Sequence, residues 1–134
     1  MMKGTRIGDV LQKAFVRWVQ KCHSEQAEFL TANMAGLRVP VQVRMEMKAM
    51  GGLEPDWPDV FFAMPRKGYY GLFLEIKYGT SRPTAGQREK LRKLTGQGYR
   101  AVPAINWTGL LKEFGAYFDI DVNPTGDMWK EQHE

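Results

Sequence analysis

Leu72-Phe73-Leu74-Glu75-Ile76-Lys77 is the stretch on which the fold turns. Successive side chains of an extended segment point to opposite faces. Leu72, Leu74 and Ile76 therefore share one face, which should lie against a core, while Phe73, Glu75 and Lys77 share the other. A carboxylate and an ammonium then point the same way from an otherwise apolar strand. Burying such groups is costly unless they are paired or hold a metal ion. Taken alone, Glu-x-Lys is a weak pattern, and an ion pair on a solvated sheet face accounts for it equally well.

The segment just upstream sharpens the reading. Asp59 to Met64 (Asp-Val-Phe-Phe-Ala-Met) has the composition of a strand, Pro65-Arg66-Lys67-Gly68 turns the chain, and Tyr69 to Lys77 returns, so the pair is expected to form a hairpin. Asp59 opens the first strand directly after Pro58, where its carboxylate can approach that of Glu75. By itself Asp59 would pass for an ordinary turn residue. Two carboxylates with backbone oxygens and waters suit Mg²⁺ or Mn²⁺ better than zinc. Held together, like charges repel, so the pair should bind a cation or take up a proton. A nearby Lys77 could position or deprotonate a water for attack on phosphorus, with the metal stabilising charge on the phosphoryl oxygens. Asp59, Glu75 and Lys77 thus supply the parts of metal-assisted phosphodiester hydrolysis.

Further out, the chain alternates helical and extended signals. Val10, Ala14, Trp18 and Cys22 recur every four residues, with Leu11, Phe15 and Val19 beside them, so Asp9 to about His23 reads as an amphipathic helix with Cys22 in its apolar stripe. Ser24 is placed to cap a second helix running through Glu25, Glu28 and Leu30 towards Asn33-Met34-Ala35-Gly36. Val39 to Met50 is ambiguous: alternation suggests a strand, whereas Val43, Met47 and Met50 suit a helix. Gly51-Gly52 ends it, and Pro55 and Pro58 bracket a loop. Pro83 suits the first turn of a helix carrying Leu91 and Leu94 and stopping at Gly96-Gln97-Gly98. Tyr99 to Ile105 makes a third strand, Thr108 can cap a last helix to about Phe118, and Asn123-Pro124-Thr125-Gly126 opens a loose tail. Two strands joined by a helix of this length form a parallel crossover. The class is α/β, or mixed α+β around a small sheet.

Composition bounds the function. The 134 residues fit one domain, expected over 1–118 with a tail at 119–134. A 43% hydrophobic and 25% charged chain is globular rather than disordered. No apolar run is long enough to span a membrane, and Met-Met-Lys-Gly-Thr-Arg leads into a mixed-charge stretch unlike a signal peptide. One cysteine excludes an internal disulfide, and a cytoplasmic location, bacterial or in the host of a phage, is expected. A Cys/His zinc cluster is ruled out, so any metal must be held by oxygens. The net charge of +4 hints at a polyanionic partner, and its distribution says more: Arg82 to Arg100 holds six basic residues (Arg82, Arg88, Lys90, Arg92, Lys93, Arg100) against Glu89 alone. A solvated face explains such a run about as well. Tyr69, Tyr70, Trp57 and Trp107 could stack on unpaired bases or pack internally, while His23 and His133 have no partner pattern.

Pro58-Asp59, the hairpin and Glu75-Ile76-Lys77, in that order, resemble the PD-(D/E)XK nuclease superfamily. More narrowly, the chain resembles the VRR-NUC family, whose module also occurs in the Fanconi-associated nuclease and as small stand-alone proteins of bacteria and phages. Four segments carry this: Gln12 to Trp18, Pro58 to Phe62, Gly68 to Lys77, and Arg82 to Tyr99 with Pro83, Gln87 and Gly98-Tyr99. The resemblance implies a restriction-endonuclease-like core, a small mixed sheet flanked by helices, with a helix near 41–50.

It further implies that Asp59 and Glu75 are metal ligands, with the Ile76 carbonyl a backbone ligand, that Lys77 is the catalytic lysine, and that Gln87 lies beside the site. The first helix of the family often supplies a glutamate. Here Asp9, three residues before Gln12, stands at that position, with Glu25 or Glu28 as alternatives. Arg82, Arg88 and Lys90 are candidate phosphate contacts. The implied activity is a Mg²⁺- or Mn²⁺-dependent deoxyribonuclease, a structure-selective endonuclease acting as a homodimer on branched DNA such as four-way (Holliday) junctions. A flap or nicking nuclease and a catalytically silent nucleic-acid-binding module are the alternatives.

Overall fold

Alternation in Leu72–Lys77 produces a strand whose two faces are covered by different helices. A computed structural model describes residues 7–34, 38–52 and 54–122, so Ala35-Gly36, the Asn123-Pro124-Thr125-Gly126 segment and His133 lie outside the described residues. In chain order the elements are α1 (Ile7–Cys22), α2 (Ser24–Ala27), β1 (Leu30–Ala32), α3 (Val41–Ala49), β2 (Val60–Phe62), β3 (Leu72–Lys77), α4 (Ala85–Gly96), β4 (Arg100–Ile105) and α5 (Asn106–Phe118). They form a small mixed sheet of order β1-β2-β3-β4 flanked by helices. The β2–β3 hairpin is antiparallel, with Val60 opposite Leu74, and β3 and β4 run parallel through the α4 crossover.

One face carries the main core. Leu72, Leu74 and Ile76 of β3 join Val60 and Phe62 of β2 beneath α1 and α5. The α1 stripe is Leu11, Ala14, Phe15, Trp18 and Val19, the three-four spacing of an amphipathic helix. Phe15 makes edge contacts with Phe62 and Phe114, and Trp18 does so with Phe114 and Trp107. On the other face Phe73, Ala101, Leu91 and Leu94 form a smaller cluster under α4. Beyond α5, Ile120 and Val122 pack against the main core.

Four expectations are corrected. Leu30–Ala32 is a strand rather than the continuation of a helix: β1 pairs antiparallel with β2, and the Phe29 carbonyl accepts from Ala63 N–H at 2.9 Å. The free edge of β2 overrides a weak local preference there. Cys22 is exposed, because each step of four residues advances about 40° past a full turn, and three such steps from Val10 carry the position off the buried face. Thr108 lies inside α5, which begins at Asn106 without a side-chain cap. Pro83 precedes α4, whose N-cap is Thr84. The ambiguous 39–50 stretch is helical over Val41–Ala49, and none of that helix is buried.

Phe15 is fully buried at the meeting point of α1, β2 and α5. Truncating it (Phe15→Ala) should cost about 3–5 kcal/mol in urea denaturation. Met45→Ala on the exposed α3 should stay within about 0.5 kcal/mol. Equal losses in the two variants would contradict this placement of the core.

Candidate active site

Pro58 lacks an N–H and ends the β2 ladder, leaving Asp59 as the junction between strand and loop. The Asp59 N–H still donates to Leu74 O at 3.0 Å, and the Asp59 carbonyl accepts from Asn33 N at 2.8 Å. Its side chain then takes over from the ladder: Oδ2 accepts from the Ile76 N–H at 2.7 Å. This bond turns the carboxylate along β3 to the neighbourhood of Glu75.

Glu75 is only 2% exposed, on the same face as Phe73 at the C-terminal end of the strand. Its Oε2 lies 3.5 Å from Lys77 Nζ. Its Oε1 is buried and has no hydrogen-bond partner. Burial, and then the negative charge of Asp59, push the Glu75 carboxyl up to about 8, against the opposing pull of Lys77. Burial also raises Asp59, opposed chiefly by the Ile76 N–H, while Asp9 adds repulsion. A half-buried Asp59 and a buried Glu75 thus share one ammonium, Lys77.

These groups border an open cavity of about 460 Å³. Asp59, Glu75, Ile76 and Lys77 enter it from the hairpin, Asp9 and Gln12 from the first turns of α1, and Gln87 from α4. The structure thus gathers around one space all the residues expected there, whereas Glu25 and Glu28 do not line it. Gln87 also has a structural duty. Its Oε1 accepts from Thr84 N–H at 2.9 Å and its own N–H donates to Thr84 Oγ1 at 3.2 Å, the reciprocal cap of α4.

The three basic candidates are engaged elsewhere. Arg82 donates to Gly79 O and Ser81 O at 2.8 and 2.7 Å, Arg88 donates to Pro83 O at 2.7 Å, and the Lys90 ammonium lies 4.7 Å over the Trp57 ring. None of them lines the cavity. Of the aromatic candidates, Trp107 is buried in the core, Tyr69 packs against it, and Tyr70 is exposed but away from the acidic cavity, which Trp57 borders.

Asn33 and Asp56 are site residues that the sequence did not single out. Asn33 Nδ2 donates to Glu54 O and Trp57 O at 3.2 and 3.1 Å, tying the loop before Asp59 to the end of β1. Asp56, at a left-handed φ of 72°, lays its carboxylate against Gly86 in the first turn of α4, where a Cβ would fall 2.6 Å from Oδ2. A glycine in the opening turn of a helix is the only local sign of that approach. The loop after Lys77 is fastened by Asn106 Oδ1, which accepts from Gly79 N–H at 2.9 Å.

Among the described residues no group of three or more His, Cys, Asp or Glu side chains is gathered to hold a metal. The donor set is two carboxylates with backbone and amide oxygens, which suits a hard cation that keeps waters and takes further oxygens from a substrate. The unpartnered Glu75 Oε1 is where such an ion fits.

No protein-family model matches the chain, and no curated protein matches it. Among solved structures, one described as a VRR_NUC domain protein is similar over 89% of this chain and 93% of its own, with a TM-score of 0.68 and 23% identity. This likeness establishes the fold, a small mixed α/β sheet flanked by helices.

A pH dependence follows from Glu75. Between its unfolded value of 4.5 and its folded value of about 8, the folded chain holds a proton that the unfolded chain has released. Stability in chelator should therefore be greatest below about pH 4.5 as far as this group is concerned, and fall as pH rises towards 8. Thermal melts of wild type and Glu75→Gln measure it: the variant should show a flatter profile, and identical slopes would refute the assignment.

Proposed function

We propose that the chain is a Mg²⁺- or Mn²⁺-dependent DNA nuclease of VRR-NUC type. The observation that carries this reading is the half-buried Asp59 and buried Glu75 carboxyls, both raised by burial, with Lys77 at the edge of an open cavity. The ordered motifs of the sequence support it, and so does the description of the structural neighbour as a VRR_NUC domain protein. Among the described residues no helix is long and apolar enough to cross a membrane.

Asp59, Glu75 and the Ile76 carbonyl would hold the ion. A divalent cation bound there supplies Lewis acidity, which makes water a better nucleophile and stabilises charge on phosphoryl oxygens. The Ile76 N–H fixes the Asp59 carboxylate, so the ligand pair needs little reorganisation. Lys77, anchored on Glu75 and partly open to the cavity, donates to the attacking water and orients it. The water oxygen adds to phosphorus and gives up a proton to bulk water, one P–O ester bond breaks, and the departing oxygen takes a proton from bulk water. Gln87 contributes its remaining amide donors from the α4 side.

Selectivity for branched DNA and a homodimeric assembly complete the proposal. Both rest on the resemblance, together with the match between two sites on a twofold axis and the symmetry of a four-way junction.

Incubation with linear, flapped and four-way DNA in Mg²⁺ and in chelator tests the reading directly. Lys77→Ala should lower metal-dependent cleavage by roughly 10²- to 10⁴-fold while most DNA binding survives. Asp59→Asn should lose Mn²⁺ binding in calorimetry. Cleavage of no substrate by wild type would leave a silent binding module, and undiminished cleavage by Lys77→Ala would overturn the mechanism.

A further inference from the structure

A second cavity, of about 450 Å³, adjoins the acidic one, and Asn33 and Trp57 belong to the lining of both. Its walls are of another kind. Pro58, Phe61 and Phe73 give it an apolar lining, with Thr31 and Glu54 contributing polar groups. The aromatic rings form a connected set: Phe61 stacks on Phe73 with centroids 4.1 Å apart, and Trp57 meets Phe73 at 5.9 Å and 61°. Trp57 nevertheless remains 36% exposed. Its ring contacts Phe73 and lies under the Lys90 ammonium at 4.7 Å, a cation–π contact.

An apolar, aromatic-walled space next to a phosphodiester-binding site suits a nucleobase, whose faces are apolar and whose edges carry donors and acceptors. Trp57 stands two residues from Asp59, so the nucleoside adjoining a phosphate at Glu75 and Lys77 is the part of the substrate nearest this wall. A base inside a duplex has its faces covered by its neighbours. Only one that is unpaired or turned out of the stack can lie on Trp57. We propose that the Trp57 cavity receives an unpaired nucleobase flanking the scissile phosphodiester, so that cutting occurs where a strand is single or a nucleotide is extruded. The placement beside a scissile bond rests on the nuclease reading; the stacking itself does not.

The test separates the two. The full chain, with Ca²⁺ in place of Mg²⁺, is titrated into single-stranded oligonucleotides carrying 2-aminopurine, whose fluorescence falls on stacking. Wild type should bind and quench, Trp57→Leu should bind about tenfold more weakly without the quench, and Trp57→Phe should keep most of both. In Mg²⁺, an abasic residue on one side of the cut should slow wild type about tenfold and leave Trp57→Leu unaffected. The abasic comparison in wild type needs no variant to fold. Quenching that persists in Trp57→Leu, or cleavage indifferent to an abasic residue on either side, overturns the proposal. Quenching by wild type without cleavage of any DNA would keep the stacking site and defeat the nuclease reading instead. Binding of an apolar peptide in preference to the oligonucleotide would assign the cavity to a protein partner and reject the base.

Discussion

Holding the half-buried Asp59 carboxylate beside the buried Glu75 is the constraint on which the rest of the structure depends. Carboxyls held this close in a partly dry setting repel each other and lose hydration, and the arrangement survives because each is partly satisfied. The Ile76 N–H serves Asp59, and Lys77 serves one oxygen of Glu75. The backbone that presents them must be stiff, since a carboxylate free to swing would escape to solvent. That stiffness comes from the opposite face of the same strand, where Leu72, Leu74 and Ile76 are locked under α1 and α5. One strand thus supplies both the core and the charge, and its two-residue period keeps them apart.

Topology does the remaining positioning. Because β3 and β4 are parallel, α4 must begin at the end of the sheet where β3 finishes, and through Gln87 its first turn borders the same cavity as Glu75 and Lys77. The same geometry leaves a crevice outside the carboxyl ends of the strands, the usual place for sites in α/β sheets. Loops around it are fastened one by one. Asn33 holds the segment before Asp59, Asn106 and Arg82 hold the segment after Lys77, and Thr84 with Gln87 closes the start of α4. Arg82 and Arg88, suggestive of phosphate contacts in the sequence, are thereby occupied in part by their own backbone.

What the sequence made legible follows from this division. The hairpin, the crossover and the Asp59–Glu75–Lys77 grouping could be read because alternation and charge are local signals. The first helix was legible for the same reason. β1 was not: Leu30–Ala32 has no pattern of its own and becomes a strand because β2 offers it an edge. Asn33 and Asp56 were equally silent, since a polar residue in a loop acquires its role from what the fold brings near. Trp107 and Tyr69 could be told from Trp57 only by burial, which composition does not encode.

An acidic cavity poses a problem for any polyanionic substrate, and its charge accounting shows how that is resolved. With Glu75 protonated the pair carries less charge, but it also offers a cation less to hold. On the nuclease reading, proton and metal would compete for the same oxygens, and metal binding would release the proton that burial retains. An ion in place of that proton would then give the site a net attraction for phosphate that the protonated pair lacks, with Lys77 beside it. On this view the burial of Glu75 does more than stiffen a ligand. It leaves the pair neutralised by its own proton and by Lys77, and on the nuclease reading it would make metal binding the step that prepares the site for a nucleic acid.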